Sequence, residues 1–228
     1  MEPTSIEMLR QKQVRMAARA LERGGLVRAY GHCSVRVDQD RFLVCAAKPM
    51  GLISPEDKGT LVAIDGPLGE GVLGEVRIHQ AIYRLRPDVC GIARTTPESL
   101  MTLSAARRTP LPRHGNGAYF SPSVPLWDDT QLVRTSELAL GVATALGEGP
   151  AVVMRGNGAV VAASSLEEAV VLSWYLEDAA RVELQLLMAG LGSEAPVLTP
   201  EQAMQRAVRT GGISERMWDY LTTGDPEL

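Results

Sequence analysis

The chain has 228 residues, 45% of them hydrophobic, and a formal net charge of −4. That is ample material for a core, with no basic surplus to mark a nucleic-acid or anionic-membrane partner. Cys33, Cys45 and Cys90 show no C-x-x-C spacing, which argues against a disulfide framework or structural zinc and for small buried hydrophobes. No stretch approaches the ~18–20 apolar residues needed to span a bilayer, and MEPTSIEMLRQKQ lacks the apolar region of a secretory signal, so a cytoplasmic protein is expected.

Ile6, Leu9, Met16 and Ala20 recur near helical spacing before Gly24 and Gly25, which predicts an opening helix. Runs at 34–37 and 41–45 around DQD predict an antiparallel hairpin, 46–51 a loop, and 60–65 a strand closed by Gly66 and Pro67. Ile78, Ile82 and Leu85 predict a helix over 75–86, stopped by Pro87; 89–93 follows as a short buried strand. Thr96 before Pro97 is the expected N-cap of a helix to about residue 106, and 130–146 is predicted as another helix. The β-branched runs 151–154 and 159–162 flank RGNG, a hairpin signal. Ser165 and Glu168 open a long helix to about 189, and Thr199-Pro-Glu-Gln repeats that start for a shorter one. No linker precedes about residue 191. The reading is therefore one domain over 1–192 and a helical tail over 193–228, packed on the same domain or on a neighbouring subunit.

Four motifs fall in order within residues 20–190: GHCSVR at 31–36, ISPED at 53–57, EVRIHQAIYRLRPDV at 75–89 and MRGNG at 154–158. Together they resemble the class II aldolase/adducin family. The resemblance implies a three-layer α/β/α domain around a mostly antiparallel sheet, assembled as a homotetramer with active sites between subunits. It also implies a divalent metal held by three histidines. Here the family's H-T-H-P is RTTP at 94–97, and Asn157 stands at the third histidine position, so all three imidazoles are missing. The phosphate-holding loops are altered as well, at AAKPMG (46–51) and at Leu73-Gly74. An ordinary sugar-phosphate aldolase is not expected, and neither is the family metal. The competing expectation is a relocated metal on Glu75, His79 and one other histidine.

Glu75 matches the family's acid/base position. Arg94 brings a permanent cation with a planar fork of donors to the place of the lost metal, suited to a carboxylate or a developing enolate oxygen; the bland alternative is a structural salt bridge, with Glu75 itself as the candidate partner. His114, in a glycine-rich loop, and His32, at the family's substrate-loop position, complete the expected catalytic set. His79 is read as supporting structure. Substrate contacts are expected from Lys48, Ser34, Thr95, Asn157, Arg155 and Tyr119. Thr96 is read as a helix cap, and Trp218 and Tyr220 as packing residues or as a cover from a neighbouring subunit. The expected function is a carbon–carbon lyase on a carboxylated, cyclic or aromatic small molecule, with no cofactor. The alternatives are an adducin-like scaffold without catalysis, or a metal-free cyclase or isomerase.

Overall fold

A computed structural model describes residues 5–228. Helix α1 (Ser5–Arg23) leads into the hairpin β1 (His32–Arg36) and β2 (Arg41–Val44), then β3 (Thr60–Ala63). A 3-10 turn over Gly74–Val76 runs into α2 (Arg77–Leu85), followed by β4 (Gly91–Thr95) and α3 (Glu98–Ala105). The short β5 (Leu126–Trp127), α4 (Ser136–Leu146), the hairpin β6 (Ala151–Met154) and β7 (Ala159–Ala163), and the long α5 (Leu166–Met188) complete the domain. Helices α6 (Pro200–Arg206) and α7 (Ile213–Thr222) form the tail.

The strands make one sheet in the order β3-β2-β1-β4-β7-β6-β5, antiparallel except for the β5–β6 pair. Because successive residues of a strand face opposite sides, the sheet carries two separate cores. Cys33, Val35, Ala93, Val153 and Val161 pack against α1, α3, α5 and α7. Phe42, Ile92, Val152 and Val160 pack against α2 and α4. This is the three-layer arrangement expected. Cys33 and Cys45 are buried as free thiols, and Cys90 is half-buried.

The tail is tied to its own chain. Arg19 of α1 makes a two-pronged bond to Asp225, both at 2.7 Å, and a further contact with Glu227 at 2.8 Å. The capping box at Thr199 forms as predicted.

Three local expectations need correction. The helix predicted over 130–146 begins only at Ser136, with Thr135 as its cap. The strand predicted over 89–93 lies at Gly91–Thr95, which brings Arg94 inside the strand. Thr96 does not cap α3: Pro97 stands at the N-cap without a side-chain bond, and the Glu177 carboxylate of α5 accepts the free N–H groups of Ser99 and Leu100 at 2.9 and 3.0 Å. A buried carboxylate satisfies two donors at a positive helix end better than one hydroxyl. The Thr96 side chain is left to line a cavity instead.

Candidate active site

A cavity of about 880 Å³ opens where β4, the loop after α1, the head of α2 and the 155–158 turn meet. Glycines set its walls. Gly31, at φ +152°, lets the 25–31 loop lie against β4: a Cβ there would stand 2.7 Å from Val27, 2.8 Å from Met50 and 3.0 Å from the Arg94 carbonyl. Gly158, at φ +80°, seats the RGNG turn on the end of β4, where a Cβ would stand 1.9 Å from the Thr95 carbonyl oxygen.

Arg94 lies in the cavity wall and is only 4% exposed. One terminal nitrogen donates to Asn157 Oδ1 at 2.5 Å, while Nε is buried with no partner. Among the described residues no carboxylate lies within 4 Å, so the structural salt bridge does not form. Burial pulls the guanidinium down from the usual arginine range, and the charge of Glu75 opposes that. It remains a cation at neutral pH. Glu75 sits half-buried in the 3-10 turn before α2 and lines the same cavity, and its carboxylate has no hydrogen bond or ion pair among the described residues. The wall thus holds a buried cation and a free carboxylate, close enough to feel each other and too far apart to pair.

Behind Arg94 runs a buried polar chain. His32 and Arg94 are cross-strand partners. His32 Nδ1 lies 2.8 Å from His79 Nε2, His79 Nδ1 lies 2.6 Å from Ser34 Oγ, and Ser34 Oγ lies 2.9 Å from the Tyr83 hydroxyl, which also donates to the Ser34 carbonyl at 3.1 Å. His79 and Tyr83 are one helical turn apart on α2, and His32 and Ser34 share a face of β1, so α2 lays one pair on the other. Burial, then His79 and Arg94, push His32 well below the usual histidine range; burial, then Arg94, bring His79 to about 3. Burial pushes the Tyr83 phenol up. All four groups are therefore neutral at pH 7. Arg36 closes the row by donating to the carbonyls of Val89, Tyr83 and Arg86, the last two at the end of α2.

Of the residues expected to act, the cavity brings together Glu75, Arg94 and Asn157, and adds Thr96. The others lie elsewhere in this chain. His32 borders a separate void of about 10 Å³ under the 71–73 loop, with its Nε2 unpartnered; desolvated beside a cation, it is a poor proton carrier. Ser34 is consumed by the buried chain. Thr95 alternates to the opposite sheet face from Arg94, with its hydroxyl buried and unpartnered. His114 faces Asp178 of α5, Nδ1 to Oδ2 at 3.9 Å. Tyr119 donates to the Val208 carbonyl at 2.5 Å and packs on Tyr175. Lys48 pairs with Asp57 at 2.5 Å, and Arg155 pairs with Asp128. Trp218 packs on the α1/α5 core and Tyr220 is exposed.

The sequence reading missed Tyr30, Met101, Leu132 and Arg134, which also line the cavity. Leu132 and Arg134 lie in an aperiodic loop, where no spacing rule announces them.

The metal that the resemblance implies does not suit these donors. A guanidinium is a cation with no lone pair to give, and it takes the first imidazole position; Thr96 and Asn157 take the others. Among the described residues no group of three His, Cys, Asp or Glu side chains gathers to hold an ion. His79, an imidazole of the relocated set, has both ring nitrogens within hydrogen-bond distance of His32 and Ser34, and it does not line Glu75's cavity.

The class II aldolase and adducin N-terminal domain model matches residues 12–184. A 3,4-dihydroxyphthalate decarboxylase of Terrabacter sp. (strain DBF63) is 31% identical over 194 residues, covering 78% of this chain and 79% of that protein. The enzyme of the same name from Rhodococcus jostii (strain RHA1) is 30% identical over 209 residues, covering 83% and 85%. Among solved structures, an aldolase II superfamily protein from Pseudomonas syringae superposes with a TM-score of 0.81 at 21% identity, covering 97% of this chain and 93% of that one.

Proposed function

Since the chain belongs to the class II aldolase and adducin N-terminal domain family, we propose that it is a metal-independent decarboxylase of a hydroxylated aromatic acid. The observation that carries this reading is Arg94: a buried guanidinium with no carboxylate in pairing range, facing the same cavity as a free glutamate. The relatives named as decarboxylases of a dihydroxylated aromatic acid support the substrate class. The residues at the three family metal positions, none of them an imidazole or a carboxylate, support independence from a metal.

The chemistry follows from charge. A ring hydroxyl first gives its proton to solvent and is held as an oxyanion by Arg94; Glu75 in its acid form then delivers a proton to the ring carbon that bears the departing carboxylate, while that oxygen pushes electrons inward and becomes a carbonyl. The C–C bond then breaks, CO₂ leaves, and its electron pair returns through the ring to that oxygen. Arg94, held in place by Asn157, meets the returning negative charge with fixed donors. Glu75 and the ring oxygen recover their protons from solvent at the open side of the cavity. The sum is one proton consumed for each carboxylate lost as CO₂.

The working assembly in this reading is a cytoplasmic homotetramer. That assembly rests on the family resemblance, and sedimentation velocity measures its size.

The test is CO₂ release from 3,4-dihydroxyphthalate by protein treated with chelator and checked by elemental analysis. Wild type is expected to turn over without metal, and Glu75→Gln to lose ~10²-fold or more in kcat while keeping its Tm. Activity that appears only with stoichiometric zinc, manganese or iron would overturn metal independence. Full activity in Glu75→Gln would overturn the proton-transfer role, and no turnover of any hydroxylated aromatic acid would return weight to a scaffold.

A further inference from the structure

The cavity is lined by two cations that the proposed chemistry does not use, Arg28 and Arg134. Arg28 is paired with Glu98 at the rim, at 3.5 Å. Arg134 also lines the cavity, yet it has no ion pair and no side-chain hydrogen bond among the described residues. Its stem lies across Gly74, where a Cβ would stand 3.3 Å from Arg134 Cγ. Gly74 immediately precedes Glu75, so the cavity that holds the acid is also lined by two guanidinium-bearing residues without an ion pair among the described residues, Arg94 buried and Arg134 exposed.

A departing carboxylate cannot be what Arg134 is for. As CO₂ forms, that group loses its charge, so a guanidinium clamped on it stabilises the ground state more than the transition state and slows the step. Arg94 serves the ring oxygen, which gains charge. Arg134 is left to hold an anionic group that stays on the product. Resting on the decarboxylase reading and on the diacid that the relatives' name already carries, we propose that Arg134 is the residue that binds the retained carboxylate, and that it sets the preference for diacid over monoacid. The ring of such a substrate would lie against Met101 and Leu132 of the same cavity. The planar fork of an arginine is suited to a carboxylate.

The experiment is isothermal titration of the full chain with phthalate and with benzoate, neither of which carries the ring hydroxyl that the reaction needs. Wild type is expected to bind phthalate about 10-fold more tightly than benzoate, a difference of about 1.4 kcal/mol. Arg134→Met is expected to erase that ratio by weakening phthalate alone. Arg134→Lys should restore part of it, since the charge returns without the fork. An unchanged ratio in Arg134→Met overturns the inference, as does wild-type protein that binds neither acid. The outcome separates from the preceding proposal. If Arg134 controls the ratio while no hydroxylated acid is decarboxylated, the diacid site stands and the activity falls. If 3,4-dihydroxyphthalate is turned over with the same KM by wild type and Arg134→Met, the activity stands and the diacid site falls.

Discussion

Arg94→Met is expected to remove activity and leave stability nearly unchanged or improved. The wild-type guanidinium is 4% exposed, has one hydrogen bond to a neutral amide, and keeps Nε buried and unpartnered. Replacing buried charge by apolar side chains of similar volume is commonly neutral or stabilising, by up to about 4 kcal/mol. Leaving Asn157 Oδ1 without its donor costs about 1 kcal/mol, little more than that because the residue is half-buried and water reaches it. The balance runs from about −1 to about 3 kcal/mol in favour of the variant. At about 2–4 °C per kcal/mol for a chain of this size, Tm should fall by no more than about 4 °C and rise by as much as about 12 °C. Catalysis should move the other way, since losing one preorganised donor at a developing oxyanion costs about 10²–10³ in kcat. Arg94→Lys should fall between, retaining the charge and losing the fork. The assay pairs thermal unfolding by circular dichroism with CO₂ release on the same preparation. A Tm drop of more than about 4 °C in Arg94→Met would refute the reasoning, because it would mean that the buried cation holds the fold together.

Gly158→Ala should abolish activity, because the new Cβ would collide with the Thr95 carbonyl oxygen and carry Asn157 away from Arg94; an unchanged kcat would show that the Asn157 contact is dispensable. Both buried histidines titrate below their unfolded value of 6.5, His79 near 3, so the unfolded chain binds more protons between those limits. Stability is complete above about 6.5 and falls as pH drops below it, by up to about 1.4 kcal/mol per pH unit for each imidazole. Urea unfolding at pH 7.5 and pH 5.5 measures this, and His79→Gln should flatten the slope. Burial works against Asp225, but its bonds to Arg19 and to the backbone hold the carboxyl below the usual range. Its contribution is present above about 3.8 and lost as pH falls below that. Asp225→Ala should cost about 3 kcal/mol, read from urea unfolding at pH 7, since it leaves Arg19 buried with Glu227 alone.

Periodic segments were legible because burial imposes the period. The apolar faces of α1 and α2 and the β-branched runs of β6 and β7 each state which side meets the core, and the ordered motifs added the family arrangement. Within the site, Glu75 was legible from its match to the family's acid/base position, and Arg94 and Asn157 from substitutions at the family's metal positions. What failed was local grammar overruled by distant parts. Thr96-Pro97 has the form of a helix start, yet Glu177, some eighty positions later, supplies the cap. Lys48 and Arg155 were read as substrate contacts on residue type alone, and each found a carboxylate in its own neighbourhood. His32 and Ser34 were read as site residues from their place in the GHCSVR motif, but α2 lays His79 and Tyr83 over them, away from the cavity. A strand position fixes a face; it does not fix what covers that face.

The exchange of imidazoles for a guanidinium narrows the reactions this family arrangement can perform. A divalent ion supplies several kcal/mol of polarisation and can also lower the pKa of bound water enough to make hydroxide. A guanidinium supplies about 3–4 kcal/mol through a fixed donor and, fully protonated, makes no nucleophile from water. That is too little to cleave an aldol whose carbanion has only a distant carbonyl to receive it, and it offers nothing to hydration or hydrolysis. It suffices where the substrate carries its own electron sink. A hydroxylated ring is such a sink, because the electron pair released with CO₂ falls onto an oxygen that prefers to be charged. The neutral His32–His79–Ser34–Tyr83 row fits the same logic: among the described residues no carboxylate pairs with Arg94 from behind, and its field is left to act into the cavity.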